Sequence, residues 1–153
     1  MPTLLEHGIN PCLWAEDVLL FYGVYEICQD VCLLIPDQDL ETAANLISSI
    51  PGWRHVCPDE TFLAECPHWI YLSKYWPFRF EGPDDDQHAV QLLPAKEFAD
   101  MDLTDKTTIR NEGLVYPKLE SYVESLTVQY LKSATPPGET ASLHFVANHL
   151  TAF

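Results

Sequence analysis

Positive charge is scarce in this chain: eight Lys and Arg stand against 23 Asp and Glu, a formal net charge of -15 over 153 residues. No three of the basic residues fall close together. Binding to a nucleic-acid backbone needs clustered Lys and Arg that release counterions from the phosphates, so that class of partner is not expected. An acidic surface keeps a chain soluble and leaves cationic partners or divalent metals as what it attracts. Long apolar runs are missing too. The longest, Val18 to Val24, contains Tyr22 and Gly23, far short of the ~20 apolar residues that span a bilayer. No membrane segment is therefore expected. No basic stretch precedes an apolar one near Met1, so a signal peptide is not expected and the expected compartment is the cytoplasm.

Familiar catalytic signatures are likewise absent. The sequence holds no Gly-x-Ser-x-Gly, no Gly-rich phosphate loop and no His-Glu-x-x-His. His144 and His149 lie five apart and do not share a helix face as i and i+4 would. His149 reads as a favourable contact with a helix C-terminus. A triad assembled from distant positions stays open, because its members need not be close in sequence. The cysteines (Cys12, Cys28, Cys32, Cys57 and Cys66) are odd in number, and reduced core thiols are the expectation. Cys28 and Cys32 share a strand face, and Cys57, Cys66 and His68 would have to complete any zinc site. That spacing matches no familiar zinc module.

What is present describes a globular domain. Hydrophobic residues make up 47% and four tryptophans are included, whereas disorder goes with far fewer aromatics. The length suits a single domain over 1–153 with a real core. Ile9 to Trp14 read as a strand, Ala15 to Tyr22 as a helix ended by Gly23, and Tyr25 to Ile35 as an apolar strand closed by Pro36. Asp37 or Asp39 can cap a helix carrying Leu40, Ala43, Ala44, Ile47 and Ile50 at helical spacing, stopped by Pro51-Gly52. Trp53 to Cys57, His68 to Tyr75 and His88 to Leu93 read as strands, with a solvated turn at Glu81 to Gln87. Lys96 to Arg110 is polar and weakly periodic, a loop or a short helix. Lys118 to Ser133 carries the stripe Leu119, Tyr122, Val123, Leu126, Tyr130, and Glu139 to Leu150 reads as a last helix.

Two segments carry a resemblance: Pro11-Cys-Leu-Trp-Ala-Glu-Asp-Val-Leu-Leu-Phe-Tyr-Gly-Val, and Cys28-Gln-Asp-Val-Cys-Leu-Leu-Ile-Pro. Their order of strand, short helix, glycine and apolar strand with an acid near its start resembles the opening of small nucleotidyltransferase-fold proteins. It is similar in particular to uncharacterised fungal proteins with the pattern Trp-Gly/Ala-Glu-Asp-Ala-Leu-x-x-Tyr-Gly-Val-Pro. Leu92 to Ala95 and Tyr116 to Ser125 are similar to the same group. The resemblance implies an α/β (α+β) fold, a small mixed sheet with helices packed mainly on one side. It also implies a site where two acids at i and i+2 of one strand face the same way and, with a third, hold two divalent ions against nucleotide phosphates. Here Asp30 matches the first acid and Cys32 stands at the second. The strand expected to bring the third offers only His88 and Gln91. Ala15 and Glu16 replace the family's small phosphate-facing pair, and an acidic side chain there repels a triphosphate unless a metal intervenes.

Two readings of the acids follow. Glu16, Asp17 and Asp30 converge at the mouth of a pocket, with Asp30 and Glu16 as catalytic residues and ligands for Mg²⁺ in an active enzyme. Otherwise Glu16 and Asp17 serve the helix dipole and Asp30 is an exposed strand end. Trp14, Asp17, His88 and Gln91 are the candidate ligand-binding residues. The aromatic segment from His68 to Phe80 lines a groove with Lys74 and Arg79 as anion hooks, or simply covers a core. The expectation is a catalytically degenerate nucleotidyltransferase-like protein that binds a small ligand or a protein partner. The alternative is an active metal-dependent nucleotidyltransferase, or another enzyme using the acidic pocket. Amphipathic C-terminal helices are compatible with a homodimer.

Overall fold

Residues 31–35 and 90–94 are apolar at almost every position, a pattern that calls for cover on both faces of a sheet. The fold is arranged around them. The computed structural model describes residues 2–24, 30–60, 64, 74–83 and 89–133. Over these, the chain runs α1 (Pro2–Glu6), β1 (Cys12–Trp14), α2 (Glu16–Phe21), β2 (Val31–Ile35), a 3-10 turn (Asp37–Asp39) and α3 (Leu40–Ser48). It continues through β3 (Arg54–His55), β4 (Arg79–Glu81), β5 (Val90–Pro94), α4 (Ala95–Ala99), β6 (Thr108–Asn111), β7 (Leu114–Pro117) and α5 (Leu119–Ser133). Readings over 25–29, 68–73, 84–88 and 139–150 lie outside the described residues.

The first five strands form a mixed sheet in the order β1-β2-β5-β4-β3. β2 and β5 are parallel, with Cys32 opposite Gln91 and Leu33 opposite Leu92. The other pairings are antiparallel, Trp14 facing Cys32 and Arg79 facing Gln91. Because successive side chains alternate faces, these registers sort the core in two. Cys12, Trp14, Cys32, Leu34 and Leu93 pack with Val18 and Leu19 of α2, Phe98 and Ala99 of α4, and Tyr122 and Leu126 of α5. Leu13, Leu33, Ile35, Phe80 and Leu92 pack with Leu4 of α1 and Ala43, Ala44 and Ile47 of α3. Helices therefore cover both faces, whereas the sequence suggested mainly one. The doubly apolar strands require it: with one face bare, Leu33 and Leu92 would stand in water. Among the described residues, no helix is long and apolar enough to cross a membrane.

Asp37 does not cap α3; neither it nor Asp39 makes a side-chain cap hydrogen bond there. Its carboxylate instead accepts the backbone N–H of Lys96 at 2.8 Å and of Glu97 at 3.0 Å. Since β2 and β5 are parallel neighbours, their exits lie side by side, and an acid after one reaches the helix after the other. Beyond α4, residues 108–117 form a hairpin whose turn, Glu112-Gly113, has φ 49° and 83°. Two successive positive φ values suit the right-handed twist of a two-residue hairpin.

Ala15, between β1 and α2, adopts φ 57° and ψ -126°, backbone space that favours glycine and is costly for a side chain. Its methyl is buried. In a Gly substitution, relief of that strain, about 1–3 kcal/mol, opposes the loss of a methyl and the added chain entropy. Ala43 in α3 has no such strain. Ala15→Gly should therefore cost at least ~1 kcal/mol less than Ala43→Gly in urea unfolding; equal costs would mean that Ala15 carries no strain.

Burial pushes the Cys12 thiol from its ordinary 9.0 up to about 12. A raised pKa means that the fold prefers the protonated form. The preference is fully present below pH 9 and is lost as pH rises toward 12. Stability should decline across that alkaline window, and Cys12→Ala should flatten the decline. At pH 8, iodoacetamide should label exposed Cys57 and spare Cys12 in peptide mapping.

Candidate functional site

Asp30 sits at the entrance of β2 and is only 3% exposed. A carboxylate that deep needs partners for both oxygens and its charge. Oδ1 accepts the Ala89 backbone N–H at 3.0 Å, and Oδ2 accepts Arg79 Nε–H at 2.8 Å. Arg79 is itself 5% exposed, and its Nη1 lies 3.7 Å from Glu81 Oε1. β4 delivers Arg79 because Arg79 is in register with Gln91, and Gln91 with Cys32, two residues beyond Asp30. The guanidinium thus reaches Asp30 across the width of β5. A buried ion pair of this kind gives weak net stability as a pair, yet removing one member strands the other charge.

The remaining positions of the expected metal set lie on the same face. Cys32 is buried, with Trp14 opposite it on one side and Gln91 on the other. Gln91 is fully buried; its Nε2 donates to the Tyr75 carbonyl at 2.8 Å and the Leu92 carbonyl at 3.1 Å. Among the described residues, its Oε1 has no hydrogen-bond partner, nor has Trp14 Nε1. Trp14 meets the Tyr122 ring edge-on at a centroid distance of 4.8 Å. Trp14 and Gln91, the candidate ligand-binding residues of this strand face, are both buried. His88 lies outside the described residues.

The acids of α2 have different neighbours. Glu16 is buried in the first turn of the helix, near Tyr122, whose hydroxyl donates to the Ala15 carbonyl at 3.3 Å. Burial first, then the Glu16 charge, holds the Tyr122 hydroxyl well above its ordinary pKa. Asp17 instead stands by Tyr116, whose pKa is raised first by burial and then by the Asp17 and Glu112 charges. The structure thus distributes Glu16, Asp17 and Asp30 among Tyr122, Tyr116 and Arg79. Among the described residues, no three His, Cys, Asp or Glu side chains group closely enough to hold a metal ion. With Asp30 held by a guanidinium and Cys32 and Gln91 beside it, these residues do not fit the Mg²⁺ pair that the sequence resemblance implies.

Both anion hooks are also engaged inside the chain. Lys74 pairs with Glu97, which also accepts the Tyr75 hydroxyl at 3.1 Å, and Arg79 is held by Asp30. The Arg79 role was half-visible in the sequence: next to Phe80 on a strand, an arginine faces the opposite side, which is interior where both faces of the sheet are covered. Nothing local indicates that its anion is 49 residues away.

Open space lies elsewhere. A pocket of about 240 Å³ lined by Pro36, Asp37, Ala95, Lys96, Met101 and Asp102, among others, opens where β2 and β5 end. The carboxyl ends of parallel strands are where open α/β sheets form crevices, and this end is opposite to Asp30. An apolar pocket of about 180 Å³ lies between α1, α3 and the sheet, lined by Leu4, Val31, Leu33, Ile47, Trp53 and Val90 among others. Comparison of the chain with protein-family profiles, curated proteins and solved structures finds no significant match.

The ion pair invites a mutational cycle. Arg79→Met should destabilise by about 3–5 kcal/mol, because Asp30 stays buried and uncompensated. Adding Asp30→Asn should recover most of that loss in urea unfolding. A double variant as unstable as Arg79→Met would show that the charge pairing is not what binds β4 to β2.

Proposed function

We propose that this chain has a nucleotidyltransferase-like fold with a degenerate catalytic set, and that it acts by binding a small ligand or a protein partner. The observation that carries this reading is the state of Asp30. The acid that would begin a metal-binding pair has one oxygen on a backbone N–H and the other on a buried arginine. The guanidinium supplies inside the fold the positive charge that a divalent ion would supply in an active site. Cys32 and Gln91 bring no negative charge to the neighbouring positions.

The order of strands and helices, a mixed sheet with a parallel central pair, and the glycine-like backbone at Ala15 support the fold assignment. The last lies where the resemblance expects a glycine. A cytoplasmic setting goes with the free thiols of Cys12 and Cys57. Between the two kinds of ligand, the pockets favour a protein. The one at the strand ends, about 240 Å³, is smaller than the roughly 300–1,000 Å³ of drug-sized ligand sites.

Thermal shifts with the four nucleoside triphosphates, each with and without Mg²⁺ or Mn²⁺, test this reading. A ligand at about 100 times its dissociation constant adds roughly 2.7 kcal/mol, a rise of several degrees for a domain of this size. No such rise is expected. A nucleotide that stabilises the protein only with metal, through an effect that Asp30→Asn abolishes, would restore the enzyme reading.

A further inference from the structure

Deepening that binding reading, we infer that the outer face of the β6–β7 hairpin, together with α2, is a docking surface for a cationic, amphipathic segment of a protein partner. Register puts Ile109 opposite Tyr116 and Asn111 opposite Leu114, so Ile109, Leu114 and Tyr116 share one face of the hairpin. The other face turns Val115 into the core. Phe21 stacks on Tyr116, with ring centroids 4.1 Å apart and planes 15° apart, and Tyr22 meets Phe21 edge-on at 4.9 Å. All three rings are half-buried. Ile109 and Leu114 are 44% and 38% exposed, while Tyr116 also packs against the core under α1 and α3.

The rim of this aromatic face is acidic. Glu112, exposed in the hairpin turn, acts by its charge on Tyr116. Glu120, at the start of α5, acts on Tyr22 in the same way. The described basic groups nearby point elsewhere: Arg110 Nη2 donates to Asn10 Oδ1 at 3.2 Å, and Lys118 Nζ to the Asp105 carbonyl at 2.7 Å. Aromatic faces beside carboxylates attract ammonium and guanidinium groups. Ile109 and Leu114 meanwhile offer apolar area for the alternate side chains of an extended segment. A chain of net charge -15 steers such a partner toward itself and disfavours a second copy of itself.

The test titrates the protein at low salt with a labelled short peptide of alternating arginine and leucine, and with its glutamine–leucine counterpart, by fluorescence anisotropy. The arginine peptide should bind and the glutamine one should not. Glu112→Gln with Glu120→Gln should weaken binding at least about tenfold. Glu41→Gln with Glu60→Gln, the same charge change made away from this face, should weaken it less than about twofold. Ile109→Ser, at an exposed position, should also weaken binding, with an unchanged circular dichroism spectrum. Equal losses in the two charge pairs would reduce the effect to bulk attraction and overturn the proposal, as would equal binding of both peptides or none of either. A dimer in sedimentation that Ile109→Ser dissolves would overturn it in favour of self-association. Any of these results leaves the nucleotide titration unaffected, so the docking surface and the degenerate-site reading fail separately.

Discussion

The Asp30–Arg79 ion pair is the constraint on which the rest of this sheet depends. One carboxylate at the mouth of β2 takes a backbone N–H at the entrance of β5 and a guanidinium from β4. It thereby fixes three strands in one register across the centre of the sheet. Their backbone ladders are short, β4 having three residues, and a short ladder by itself pins register weakly. Two buried opposite charges make any slip costly, because a shift of one residue would part the carboxylate from the guanidinium in a dry interior.

That same pair changes how the acids of this chain are to be understood. Three carboxylates on adjacent strands repel one another and are tolerable only when cations stand among them. Here one carboxylate remains, its cation is built in, and the neighbouring places hold a thiol and an amide. Cys32 packs with Trp14, Leu34 and Tyr122 in the core, and Gln91 ties down the Tyr75 carbonyl.

Local patterns in the sequence carried much of this fold. The apolar runs of β2 and β5, the spacing of Ala43, Ala44 and Ile47, and the breaks at Gly23 and Pro51-Gly52 all follow from period and turn chemistry. The stripe of α5 was legible only in part. Tyr122 and Leu126 are buried as their spacing suggested, but Leu119 is 37% exposed. The inward face is completed by Ser125 and Gln129, which donate to the carbonyls of Ala99 and Phe98. Polar residues that satisfy buried carbonyls look like surface residues in a sequence, so the stripe is drawn rotated. The hairpin was hidden for a similar reason: six of the eight positions of β6 and β7 are exposed or half-buried, and no Asn-Gly marks the turn.

Long-range pairing is what no window of sequence contains. Asp37 was visible as a capping residue, but the helix it caps follows a strand 53 positions after its own turn begins. Parallel adjacency of β2 and β5 brings the two exits together. Arg79 was visible as a cation among aromatics, but its anion belongs to another strand. In each case the residue type announced the chemistry, a carboxylate seeking N–H groups or a guanidinium seeking an anion, and the topology chose the partner. For a chain so poor in positive charge, that choice also decides what faces outward. With Arg54, Lys74, Arg79 and Lys96 in ion pairs with carboxylates, four of the eight basic side chains are drawn into internal pairs. Exposed Glu112 and Glu120 then set the character of the surface beside Tyr116 and Tyr22.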